Sequence, residues 1–176
     1  MNPLLKLKAT HLFLLLILVT LLSEMEIFGN VIKFIGLLFY ISWMYSIGSY
    51  MNSFIPEKSR PSITYFQISC LFIVLFEIFT YLTIGYISDD ELFQFNGYKS
   101  YLFILFGLYS AWSMLYIFSF AARMLESVIE GKITTLNKSI KGFFCFWFFP
   151  IGIWYIQPAV HRVIENHPNN ANIANK

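Results

Sequence analysis

One carboxylate in this chain is placed where its chemistry would matter. Glu77 sits in the run "CLFIVLFEIFTYLTIGY", with no other charge from Cys70 to Tyr86. A carboxyl group among hydrocarbon side chains is disfavoured in its ionised form. Ionisable groups set in such runs face a partner or a cavity. Two roles follow. Glu77 is a protonation site on an ion path, or it is a neutral acid that hydrogen-bonds to Ser110, Ser113 or Tyr109 of a neighbouring segment. The second is the expectation, because a single acid with no relay around it does not make a path.

Other reactive types are spaced less favourably. His161 and Glu165, four apart, would share a helix face with His167 close by. Two ligands on one polar segment fall short of the three or four that hold zinc, so no metal site is expected. Cys70 and Cys145 lie in apolar runs with no neighbour at ligand spacing and read as small hydrophobes. His11 has no acid beside it, and Gly29, Gly36 and Gly48 make no phosphate loop. The sequence thus offers neither a catalytic set nor a cofactor site.

The elements that position Glu77 follow from composition. Of 176 residues, 57% are hydrophobic and 12% charged, and 20 are Phe. The charged share is about half that of a soluble domain, so lipid is the solvent the chain suits. A net charge of +2 gives no field to hold nucleic acid. Lys6 and Lys8 precede an apolar run, Leu12 to Leu22, that lacks a small-residue cleavage site and reads as an uncleaved first span. A bilayer core about 30 Å thick needs ~20 helical residues. Spans are predicted at about 9–24, 34–51, 62–86 and 101–124, with Gly29-Asn30 as a turn between the first two. They are helices because backbone groups in lipid must pair within their own segment. The predicted fold is an all-α integral membrane helical bundle over 1–160, followed by a polar, disordered cytoplasmic tail over 161–176.

Orientation follows from Lys and Arg in short loops. With the N-terminus in the cytoplasm, Lys6, Lys8, Lys58, Arg60, Arg123, Lys132, Lys138 and Lys141 are inside, and Lys33 and Lys99 are outside. The acidic Asp89-Asp90-Glu91 loop also falls outside.

The run from Gly142 to Val160 has 19 uncharged residues, enough for one straight crossing, but Pro150 and Gly152 interrupt it. Pro removes a backbone donor, and Gly tolerates angles other residues avoid. The expectation is a re-entrant hairpin broken there, which keeps Arg162 inside; a fifth span is the alternative. Pro158, after Gln157, suits the first turn of a short interfacial helix over 158–166.

The stretch "AARMLESVIEGKITTLNKSIKGFFCFWFFPIGIWYIQPAVHRV", with "HLFLLL" and "ISWMYSIGSYMN" upstream, resembles an uncharacterised family of small polytopic membrane proteins of Bacteroidota that share a C-terminal FPIGIWxIQP signature. This chain has Ala159 and His161 where that family carries Arg and Asn. The resemblance implies a membrane protein and brings no activity with it.

Three aromatic groups read as interfacial belt and packing: Tyr40, Trp43, Tyr45 and Tyr50; Tyr109, Trp112 and Tyr116; and Trp147, Trp154 and Tyr155. Ser42-x-x-x-Ser46 and Gly107-x-x-Ser110 favour close helix approach or self-association. The leading reading is a non-enzymatic, multi-pass subunit of the bacterial inner membrane that binds partners or its own copies. The alternative is an oligomeric transporter, pore or membrane-perturbing effector. A lipid-modifying enzyme is third. The residues on which function is expected to rest are Glu77, Pro150, Gly152, Trp154 and Gln157.

Overall fold

The computed structural model describes residues 3–25, 29–84 and 98–166, and among them every regular element is a helix. A 3-10 turn, Pro3–Lys6, precedes α1 (Ala9–Leu22). There follow α2 (Gly29–Ser53), α3 (Thr64–Ile84), α4 (Tyr98–Glu130), α5 (Leu136–Trp147) and α6 (Phe149–Asn166). Among the described residues three helices are long and apolar enough to cross a membrane: Gly29–Ser53, Thr64–Leu82 and Tyr101–Glu130. The first predicted span, α1, has 14 residues, about 21 Å at the standard rise and short of the ~30 Å hydrocarbon core. Gly29-Asn30 does not form the expected turn; it opens α2. The fourth predicted span does not end at Met124 but runs on to Glu130.

The described chain forms two compact units, Met1–Ile63 with Phe118–Lys176, and Thr64–Ile117. In the second, α3 runs antiparallel to the first part of α4. The ring pairs show the register: Tyr65 with Tyr116 at 4.6 Å, Phe72 with Tyr109 at 4.5 Å and Phe76 with Phe103 at 5.9 Å. Edge-to-face rings at such distances add to simple area burial. Ser69 and Ser113 are buried in the same register, where small side chains let the backbones approach.

In the first unit, α4 ends in a Schellman turn at Gly131, whose φ is +67°. Lys132 N–H donates to Ser127 O at 3.1 Å and Gly131 N–H to Val128 O at 3.3 Å, satisfying carbonyls that the helix end leaves free. A buried knot then fixes the start of α5. Arg123 Nε donates to Thr134 O at 2.9 Å, Thr134 N–H to Ser127 Oγ at 3.0 Å and Ser127 Oγ to Arg123 O at 2.6 Å. At the end of α2, Arg60 plays a similar part, donating to the carbonyls of Ile55 and Ser53 at 3.1 and 3.2 Å.

The last apolar segment is two amphipathic helices folded against each other. Lys141 Nζ lies 4.4 Å above the Tyr155 ring, and Gly152 abuts the Cys145 backbone. Residues seven apart in one continuous helix would be separated by about 10 Å along its axis. Both pairs are nearly symmetric about Phe148, so the chain reverses there. The expected break is present, but its hinge is Phe148 (φ −91°, ψ 58°), two residues before Pro150. Pro150 instead occupies the first turn of α6, where its missing donor costs least. Gly152 is not needed for a special angle either: the one positive-φ glycine among the described residues is Gly131. It is needed for space, since a Cβ there would run into the Cys145 carbonyl. Pro158 does not start a helix; it lies inside α6, which continues to Asn166. Residues 161–166 of the expected disordered tail are therefore helical, and 167–176 lie outside the described residues.

Candidate functional site

The broken segment meets α2 at two places, and both are set by hydrogen-bond demand. In an unbroken helix the Phe146 carbonyl would accept from residue 150. That residue is proline and has no N–H. The Tyr40 hydroxyl donates to Phe146 O instead, at 2.6 Å. Phe149 packs edge-on against the Tyr40 ring at 4.7 Å and the Trp43 ring at 5.1 Å, so the hinge is clasped by two aromatic residues of α2.

About two turns further along α6, Gln157 is fully buried. Its Oε1 accepts from Trp43 Nε1 at 3.1 Å. Its amide nitrogen donates to Leu5 O, at 3.1 Å, and to Leu7 O. His161 Nε2 is 3.1 Å from the same Leu5 carbonyl and 3.2 Å from Gln157 Nε2. Gln157 has only two amide hydrogens. With both given to Leu5 and Leu7, His161 takes the Nε2–H tautomer and donates to Leu5 O. A single side chain of α6 thus ties together α2, the N-terminal turn and its own helix. This arrangement holds geometry and carries no nucleophile next to a base.

A third contact lies on the far side of α6. Tyr155 Oη donates to Glu126 Oε1 at 3.0 Å, under the Lys141 cation. Trp154, also expected to matter, is half exposed and packs its ring 6.0 Å from Phe13.

Of the five residues the sequence singled out, Pro150, Gly152, Trp154 and Gln157 come together on α6. Glu77 belongs to the other unit. It is half-buried on α3 and makes no hydrogen bond or ion pair among the described residues; the expected bond to Ser110, Ser113 or Tyr109 is not formed. Ser46 uses its hydroxyl within α2, on Ser42 O at 2.7 Å, and a Cβ at Gly107 would meet nothing within 4 Å. Sequence reasoning missed the partners of Gln157. Two are main-chain carbonyls, which leave no mark in residue identity, the third is Trp43, read as belt and packing, and His161, which shares the Leu5 carbonyl, was weighed only as a metal ligand. It also missed the Arg123–Ser127–Thr134 knot, for which the polar residues after Met124 were the available signal.

No protein-family model matches the chain, and no curated protein or solved structure matches it.

Proposed function

We propose that the chain is a multi-pass protein of the bacterial inner membrane that acts without catalysis, by binding a membrane partner or further copies of itself through the α3 face that carries Glu77. One observation carries this reading. Glu77 is a carboxyl group in the middle of an apolar helix with no side-chain partner among the described residues. In lipid such a group gains most by hydrogen-bonding across to another helix. Glu77→Gln keeps a donor and an acceptor and should leave association in mild detergent nearly unchanged. Glu77→Leu should weaken it by about tenfold, the scale of one good interhelical hydrogen bond of ~1.4 kcal/mol. Cross-linking and light scattering read both. Loss of an ion flux in Glu77→Gln, with the fold intact, would overturn the reading in favour of a transporter or pore.

In this reading the N-terminus is cytoplasmic, as the loop charges favour, and α1 to α4 cross. The bilayer thins locally to match the short α1. The α5–α6 hairpin enters from the cytoplasmic face and turns back within the membrane. Its first arm has 12 residues, about 18 Å or roughly half a bilayer and a little more. Its hinge packs on Tyr40, near the middle of α2. The likeness to the small Bacteroidota membrane proteins fits the same location. A reporter fused after Lys176 should read cytoplasmic. A periplasmic tail with a cytoplasmic N-terminus would establish five crossings and remove the hairpin from the scheme.

A further inference from the structure

We propose that the first unit holds one acyl chain of an anionic phospholipid between α1, α2 and the hinge of the hairpin, with Lys33 pairing with the phosphate. This does not rest on the role given to Glu77, which lies in the other unit. A cavity of about 430 Å³ opens between these helices, within the range of sites that take a sizeable apolar ligand. Its polar and apolar groups are segregated along one axis. Thr20 and Ser23, at the end of α1, and Lys33, early in α2, lie around one end. Leu12, Tyr40, Phe149 and Pro150 line it further in. From Lys33 to Tyr40 the site extends about 10 Å along α2.

The wall hydroxyls are already committed. Thr20 donates to Leu16 O at 3.0 Å, Ser23 to Thr20 O at 2.7 Å and Tyr40 to Phe146 O at 2.6 Å. Among the described residues of the lining Lys33 is the one that carries a charge, and it is exposed. A cation at the mouth with hydrocarbon behind it suits an amphiphile with an anionic head, and a bilayer supplies that amphiphile in a phospholipid. Gly36 keeps the site narrow by letting α1 come close: a Cβ there would stand 2.6 Å from Val19 Cγ1.

The test is native mass spectrometry of the full chain, taken from vesicles containing equal palmitoyl-oleoyl phosphatidylglycerol and phosphatidylethanolamine and washed in mild detergent. The wild type should retain one phospholipid per chain, mostly phosphatidylglycerol. Lys33→Gln should retain a lipid but lower the glycerol-to-ethanolamine ratio about fivefold, the effect of one lysine beside a headgroup of net negative charge, which the ammonium of ethanolamine cancels. Leu16→Trp, which fills the site, should cut retention, and its helical circular dichroism should match wild type. Three results would overturn the proposal: a wild type that comes through the wash without lipid, a headgroup ratio unmoved by Lys33→Gln, or a bound molecule that is a fatty acid without phosphate.

Discussion

Gly152→Val lowers the stability of the protein by about 3 kcal/mol or more, the upper end of the cost of overpacking a filled site. The reason is geometric. The backbones of α5 and α6 touch at Cys145 and Gly152, and no rotamer moves a Cβ out of that contact. The arms must part, which pulls Phe149 off Tyr40 and Trp43 and draws Gln157 away from its carbonyls. A loss of that size lowers the thermal midpoint of a chain this long by roughly 6 to 12 °C. Thermal scanning of the detergent-solubilised protein by fluorescence size exclusion measures it. Gly107→Ala is the control, because a Cβ at Gly107 meets nothing and Ala is the better helix former. Equal melting of Gly152→Val and wild type would show that the hairpin does not close as described.

Gln157→Leu is the second large loss, at about 2 to 4 kcal/mol. Leucine is close in size, so packing changes little and hydrogen bonding changes most. Trp43 Nε1–H is left without its acceptor and the Leu7 carbonyl without its donor, while Leu5 O keeps only His161. A single interhelical hydrogen bond in a membrane protein is worth about 0.6 kcal/mol on average and up to ~1.7, whereas a buried group stranded without a partner costs ~1–3. Trp43→Phe removes the indole donor and should cost less on its own. Combined with Gln157→Leu it should add much less than its single effect, because the bond is already gone. Full additivity across that double-mutant cycle would mean that Trp43 and Gln157 do not interact. Limited proteolysis should show a second signature: the N-terminal turn becomes cleavable in Gln157→Leu and also in Gln157→Glu, which keeps an acceptor for Trp43 but loses the amide donors to Leu5 and Leu7.

Much of the helical layout could be read from the sequence, for a physical reason. Long uncharged runs with polar connectors have few alternatives in lipid, so α2, α3 and α4 lie where hydropathy places them, apart from their ends. Ends are set by local hydrogen bonding, and the extension of α4 to Glu130 depends on the Gly131 turn and the Arg123 knot. The interruption in the last segment was also legible, because proline cannot continue a helix unaided. Its location was not: Phe148 carries no sequence signal for a reversal, and Pro150 was credited with a break that it follows. Gln157 was visible as an amide stranded in an apolar run. What it binds was invisible, since main-chain carbonyls from residues near the other end of the chain have no side-chain signature. Glu77 shows the opposite limit. Its oddity is plain in the sequence, and the described residues of one chain give it no partner.

The Gln157 clasp also dictates an order of events during synthesis. The carbonyls it holds belong to Leu5 and Leu7, 152 and 150 positions earlier. A ribosome adding about 5 to 20 residues per second needs roughly 10 to 30 s to travel between them. Through that interval the Leu5 and Leu7 carbonyls, and Trp43 once it is made, are without the side chain that will join them. A nascent chain that stalls before Gln157 leaves the Leu7 carbonyl and the Trp43 indole without the side chain that joins them.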